Sequence, residues 1–216
     1  MRESEKGFIY IIGNMFGYKT SEMLHLLNLE QNMGRKVQLF RVGWDNRYGI
    51  NYVTTHDGTR FPAIQVKNTE ELVRNLSEDT EVIGIEEVQF FDEEIIDFIL
   101  TNKEKHLVVA TALQMDFRGN PFPLRGPEGV SQDSKKHVGH LMPHAKVVSR
   151  YPQCTFREDS GLCRAEAIYI QRFRSDGSLA LYEEPTIVVG GPDKYAPRCI
   201  EHFIRPIPSQ DVQKGQ

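Results

Sequence analysis

The run Gly13-Asn14-Met15-Phe16-Gly17-Tyr18-Lys19-Thr20 carries the residue types of a phosphate-binding loop. It follows the apolar run Phe8-Ile9-Tyr10-Ile11-Ile12 and precedes a helix-like segment, Thr20 to Met33. In such a strand–turn–helix, backbone N–H groups at the helix N-terminus face phosphates, a lysine adds charge and a hydroxyl can hold Mg²⁺. The general pattern G-x-x-x-x-G-K-[ST] has a glycine where Tyr18 stands. A capped helix after a glycine turn, with an exposed lysine, explains the same residues.

Two further groups could do chemistry. The apolar stretch Val82-Ile83-Gly84-Ile85 ends in Glu86-Glu87. An acidic strand end is the usual partner of a phosphate loop, holding Mg²⁺, and the adjacent carboxylate could act as general base on a hydroxyl. Two solvated glutamates are the plainer alternative. Cys154, Cys163, Cys199 and His202 offer three thiolates and an imidazole, a donor set suited to structural zinc. The gap from Cys154 to Cys163 is wider than a usual zinc knuckle, and three unrelated thiols with a surface histidine remain the alternative. His137, His140 and His144 have helical spacing, but Pro143 should end a helix before the third, so these read as ordinary polar residues.

The elements that must position these groups alternate between strand and helix. After Met33-Gly34, a helix stop, come Val37–Arg41 as a strand and Asn51–Thr55 as an edge or hairpin strand. Asp57-Gly58 reads as a tight turn and Asn68-Thr69-Glu70-Glu71 opens a capped helix. A helix from Asp92 to Thr101 and a buried strand from Leu107 to Leu113 follow. Met23, Leu26, Leu27 and Met33 fall roughly on one helical face, as a core stripe would. Continuous apolar strands alternating with helices predict a parallel α/β sheet, whose ligands bind at the carboxyl ends of the strands. The loop at Gly13, Asp45/Arg47, Glu86/Glu87 and the segment after Leu113 all lie there. Beyond Val147 the texture changes to short β-like runs, 167–170, 178–182 and 186–189, with a hairpin signal at Asp176-Gly177. The expected division is a nucleotide-binding domain over 1–146, a small β-rich appendage over 147–207 and a loose tail over 208–216.

Composition bounds the partners. The 216 residues carry a net charge of −4, with 26 basic and 30 acidic side chains well mixed. From Val147 onward nine Lys/Arg are matched by nine Asp/Glu, so a nucleic-acid-binding zinc ribbon finds no basic surface. No apolar run is long enough to span a bilayer. Three cysteines, an odd count with no export signal ahead of them, predict a reducing cytoplasm.

Assembled, these pieces resemble the type II thymidine kinases over about Phe8 to Phe203. Gly13 to Glu22 sits where that family carries a G-P-M-F-S-G-K-S-T-E type loop. Asp45-Asn46-Arg47-Tyr48 and Thr55-His56-Asp57-Gly58 are similar to its D-x-R-Y and S-H-D-G segments. Ile83 to Phe91 resembles its I-G-I-D-E-x-Q-F-F block, and Leu113 to Phe122 its L-D-x-x-F-R-x-x-P-F segment. Val189-Gly190-Gly191-Pro192-Asp193-Lys194-Tyr195, with Cys199 and His202, resembles its lasso and second zinc pair.

The resemblance implies a P-loop, RecA-like fold with a zinc-bearing lasso, commonly assembled as a tetramer. It implies transfer of the ATP γ-phosphoryl group to the 5′-hydroxyl of thymidine or deoxyuridine, with Glu87 as general base. ATP and Mg²⁺ would be held by Gly13, Asn14, Met15, Phe16, Gly17, Tyr18, Lys19, Thr20 and Ser21, with Asp45, Arg47, Glu86 and Gln89. Met15, Phe90, Leu113, Phe117 and Phe122 would wall the thymine pocket, with Val188, Gly190 and Tyr195 closing over it. Zn²⁺ would sit on Cys154, Cys163, Cys199 and His202. The sequence departs from the family at Asn14, Tyr18, Glu86, Gln114 and Ile170 and in the stretched first zinc pair. Tyr18 raises a second reading: a descendant that keeps the fold and nucleoside binding but uses ATP poorly.

Overall fold

The structure is a computed structural model that describes residues 6–43, 51–55, 58–124 and 136–208. Asp45, Arg47, His56, Asp57 and the tail after 208 lie outside the described residues. The chain opens with β1 (Gly7–Gly13) and α1 (Lys19–Asn32), then β2 (Val37–Val42), β3 (Asn51–Thr54) and β4 (Arg60–Val66). Next come α2 (Thr69–Asn75), β5 (Val82–Glu86), α3 (Glu94–Asn102), β6 (Leu107–Leu113) and β7 (Lys146–Arg150). These strands form one sheet in the order β3-β4-β2-β5-β6-β1-β7. Only β3 runs antiparallel to its neighbour, as an edge hairpin with β4. The predicted parallel sheet flanked by helices is what forms.

The continuous apolar run of β1 follows from burial on both faces. Phe8, Tyr10 and Ile12 pack into the layer holding Leu72 of α2 and Ile95 and Ile99 of α3. Ile11 points the other way, against Met23, Leu24 and Leu27 of α1. Each such side chain, fully buried, contributes on the order of 1.5–3 kcal/mol, so burial against the sheet fixes α1. Gly84 lets α1 settle that close, because a Cβ there would stand 2.8 Å from both Leu27 and Leu39 side chains. The helix stripe is shorter than its spacing predicts. Met33 lies beyond the last turn as the cap residue and is exposed.

The start of α2 follows its sequence signal, with Asn68 Oδ1 accepting the Glu71 N–H at 2.9 Å. Val138–His144 forms a 3₁₀ stretch that carries Pro143 and His144 within it, against the expected stop. Its short turns need only local bonds, and Ala145 N–H to the Met142 carbonyl closes the last one past the proline. The sheet continues through Arg150, four residues past the boundary that the change of texture predicts at 146.

The remainder is thinly structured. β8 (Arg157–Glu158) pairs with β9 (Gly161–Leu162), and β10 (Tyr169–Arg172) pairs antiparallel with β11 (Tyr195–Arg198). The expected strands over 178–182 and 186–189 do not form. The turn at Gly177 is present, with φ 81, but one bridge, Phe173 to Leu179, is all that follows it. Among the described residues no helix is long and apolar enough to cross a membrane.

Candidate functional site

The loop after β1 passes beneath the end of β7. A Cβ on Gly13 or Gly17 would lie 1.9 or 2.1 Å from the Arg150 carbonyl oxygen, so both positions require glycine. Asn14 N–H donates to that same carbonyl at 3.4 Å, and Gly17 N–H to the Asn14 carbonyl at 3.3 Å. Lys19 Nζ donates to the Asn14 carbonyl at 2.7 Å, folding the ammonium back over the loop. The Arg150 guanidinium reaches Glu22 at 2.7 Å and ties the first turn of α1 to β7.

Tyr18 takes up φ 57, ψ 28, the left-handed conformation that glycine would adopt freely. For a tyrosine this costs on the order of 1–2 kcal/mol. Its ring is 69% exposed, so packing offsets little of that cost. Phe16 (φ 65) and Glu87 (φ 53) share the conformation. Three of the four non-glycine residues with positive φ among those described therefore gather here, as strain commonly does at ligand sites.

The loop borders a cavity of about 280 Å³ lined by Met15, Phe16, Gly17, Tyr18, Lys19, Thr20 and Ser21, with Thr54, Thr55, Glu87, Leu113, Gly190, Gly191 and Pro192 completing it. The orphan N–H groups at the start of α1 and a lysine suit it to an anion. Burial pulls Lys19 down to about 8, resisted by the charges of Glu87 and Glu86. Glu86 is pushed up to about 7, first by burial and then by the like charge of Glu87, against Arg41, Thr20 and Lys19. Burial also raises Glu87, with Lys19 and Arg41 opposing. Thr20 Oγ1 donates to Glu86 Oε1 at 3.3 Å. Thr20 lines the cavity, and its hydroxyl thus meets a carboxylate just beyond the lining, an oxygen pair that fits Mg²⁺.

Of the described residues expected at the anion site, Gly13, Asn14, Glu86 and Gln89 do not line this cavity, although Glu86 meets Thr20 and the Gln89 side chain favours the charged form of Glu87. Asn14 turns its amide away, donating to the carbonyls of Ala167 at 3.1 Å and of Tyr169. Gln89 is wholly buried and braces β6 by accepting the Leu113 N–H at 3.2 Å; it lines neither this cavity nor the next. The charge contributed by Arg41 has no counterpart in the sequence reading, because nothing local in β2 marks it.

A second cavity, of about 290 Å³ and mostly apolar, opens beside the first. Met15, Phe90, Leu113, Phe117, Phe122, Val188, Gly190 and Tyr195, the residues that the resemblance assigns to a nucleoside pocket, all line it. Met115, Asp116, Ile170, Thr186, Ile187 and Val189 complete the wall without having been marked. The segment 182–189 is held there as a strap. Arg118 donates to the Tyr182 carbonyl at 2.7 Å, the Glu184 carbonyl at 2.5 Å and the Thr186 hydroxyl at 3.0 Å, while pairing with Asp116 at 2.9 Å. Tyr195 Oη donates to the Val188 carbonyl at 2.6 Å. The Asp116-x-Arg118 pair, two opposite charges inside an apolar block, was the available signal. Glu87, Met15, Leu113 and Gly190 line both cavities, so the strained glutamate stands where they meet.

Some distance along the chain, Cys154, Cys163, Cys199 and His202 converge, with their ligand atoms all within 4.8 Å of one another. Cys163 Sγ to Cys199 Sγ is 3.9 Å, and His202 Nδ1 lies 3.3 Å from Cys199 Sγ and 3.8 Å from Cys154 Sγ. A tetrahedron with Zn–S bonds of about 2.3 Å has edges near 3.8 Å. The cluster is compatible with zinc. Of the three histidines at helical spacing, two brace the 3₁₀ stretch: His137 Nδ1 accepts the Gly139 N–H at 3.2 Å, and His140 Nδ1 accepts the His137 N–H at 3.1 Å.

Comparison with known proteins agrees with this geometry. The family model described as thymidine kinase matches residues 7–203. A thymidine kinase of Thermococcus kodakarensis is 34% identical over 207 residues, covering 93% of this chain and 95% of the relative. One from Mycoplasma capricolum is 32% identical over 210 residues, 94% of this chain and 91% of that protein. One from Mesoplasma florum is 31% identical over 208 residues, 92% of each. A sheet with a lysine-bearing loop, a glutamate between two cavities and a cysteine–histidine cluster is thus matched along nearly its whole length: the chain belongs to the thymidine kinase family.

Proposed function

We propose that this protein phosphorylates thymidine or deoxyuridine at the 5′-hydroxyl with ATP. The observation that carries the reading is the position of Glu87, common to an anion-suited cavity and an apolar one. The pyrimidine ring lies among Phe90, Phe117, Phe122 and Tyr195, with the strap 182–189 above it, and the triphosphate lies over Lys19 and the α1 N-terminus. Glu87 takes the 5′-hydroxyl proton as the oxygen attacks the γ-phosphorus and ADP leaves. Its raised proton affinity makes it a stronger base than an ordinary carboxylate. The Lys19 ammonium draws off charge from the transferring group. Mg²⁺, held by Thr20 and Glu86, would neutralise phosphate charge there.

The test is turnover by a coupled ADP assay with thymidine, ATP and Mg²⁺. Glu87→Gln should lower kcat by about 10²- to 10⁴-fold, the usual worth of a general base, with nucleoside affinity kept. A variant within twofold of the parent removes Glu87 from the chemistry. The strained Tyr18 favours one competing reading, a protein that binds nucleoside but uses ATP poorly. Calorimetric thymidine binding without turnover, and turnover gained by Tyr18→Gly, would decide for it.

A further inference from the structure

A third hollow, of about 620 Å³, lies on the other side of the loop from Glu87. Phe16, Tyr18 and Pro192 line both it and the cavity at Lys19, so the two adjoin. Tyr151, Pro152 and Pro197 form its floor and far wall, and none of the residues lining it is charged. Tyr18 stands at the junction, left-handed and with its ring mostly in solvent. The Tyr151 hydroxyl is anchored on Gln114 Oε1, which holds the facing ring in place.

We propose that Tyr18 is the stacking platform for the base of the phosphate-donor nucleotide. This rests on the reading above that the donor is a nucleoside triphosphate. A triphosphate over Lys19 points its terminal phosphorus toward Glu87, so its other end leaves that cavity on the side of Tyr18. There it meets an uncharged hollow walled by aromatic rings and prolines, with Gln153 to face a heterocycle's polar edge. A flat neutral base is the occupant this surface fits, and stacking on an aromatic ring is the interaction it offers. The side chain that breaks the loop pattern thereby acts as a donor-recognition residue.

The experiment compares equilibrium binding of ATP and of inorganic tripolyphosphate, each with Mg²⁺, to the full chain and to two variants. Tyr18→Phe keeps the ring; Tyr18→Asn removes it with a residue that tolerates the left-handed conformation. The expected result is an approximately tenfold loss of ATP affinity in Tyr18→Asn, tripolyphosphate affinity within twofold, and Tyr18→Phe like the parent. Unchanged or tighter ATP binding by Tyr18→Asn overturns the proposal, since the ring is then idle or obstructive. Parallel weakening of both ligands also overturns it, by assigning Tyr18 to loop shape alone. Failure of either ligand to bind any form overturns the donor reading itself, and the platform with it.

Discussion

Three ionisable side chains compress unlike demands into the space around Glu87. Burial alone would neutralise all of them, and their mutual attractions only partly restore the charges. The consequence is a dependence of stability on pH whose sign can be worked out for protein stripped of divalent metal. Glu86 rises from 4.5 unfolded to about 7 folded, so the folded state keeps a proton that the unfolded chain has lost. Its contribution is full below pH 4.5 and disappears as pH climbs to 7. Lys19 falls from 10.5 to about 8, so its contribution is full above 10.5 and disappears as pH drops to 8. Both are therefore absent between pH 7 and 8, and the site is least favourable to the fold at the pH where it is most charged. Urea unfolding across pH 5 to 7.5 should show a falling component, at most about 1.4 kcal/mol per pH unit for one group. Glu86→Gln should flatten that slope and raise stability at pH 7.5. An identical slope in the variant would remove Glu86 as its source.

At the scale of elements, the loop is shaped by neighbours rather than by its own propensities. β7 supplies the Arg150 carbonyl against which Gly13 and Gly17 rest, and Asn14 reaches the other way to the chain just before and within β10. That asparagine is 4% exposed, and its Oδ1 also accepts the Met15 N–H at 2.8 Å. Asn14→Ala leaves two carbonyls and an amide without their partner, at a cost of about 1–3 kcal/mol. The measurement is chemical denaturation, and a change below about 0.5 kcal/mol would mean water replaces the side chain freely. The loop was legible in the sequence because strand, glycines, lysine and helix are contiguous. The left-handed conformation of Tyr18 showed only through the glycine that the general pattern has there, not through any periodicity of the chain. Asp116, Ile170 and Thr186 escaped for a related reason. Arg118 and Arg172 draw their segments together, Arg172 meeting Glu184 at 2.9 Å, and no periodicity records such clamps. The runs 178–182 and 186–189 look like strands by composition, yet the strap is held by those arginines and by Tyr195 instead of by ladder bonds.

For the molecule as a whole, the question is what keeps the chain beyond β7 in place, because the apolar cavity takes Ile170, Val188 and Tyr195 from it. Its strands are two to four residues long, and the core around the cysteines is small: Cys154, Ala167, Cys199 and the partly buried Cys163. So little apolar area cannot order a segment of this length, and small units of this kind ordinarily need a metal or disulfides. The cysteines are free and their ligand atoms stand at separations compatible with zinc, which would supply the missing ordering free energy. Two consequences follow for metal-depleted protein or Cys199→Ser. Limited proteolysis should cut within 151–208 while the seven-stranded sheet and its helical circular dichroism persist. Thymidine affinity should fall at least tenfold, since seven residues of its cavity, Ile170, Tyr195 and the run 186–190, move. Tripolyphosphate binding over Lys19 should change less, because the loop after β1 and the start of α1 supply residues 15–21 of that cavity and the moving segment only Gly190, Gly191 and Pro192. Purified protein holding no stoichiometric zinc, or metal-free protein that binds thymidine as before, would detach the cluster from the site and leave Arg118, Arg172 and Tyr195 to hold the strap.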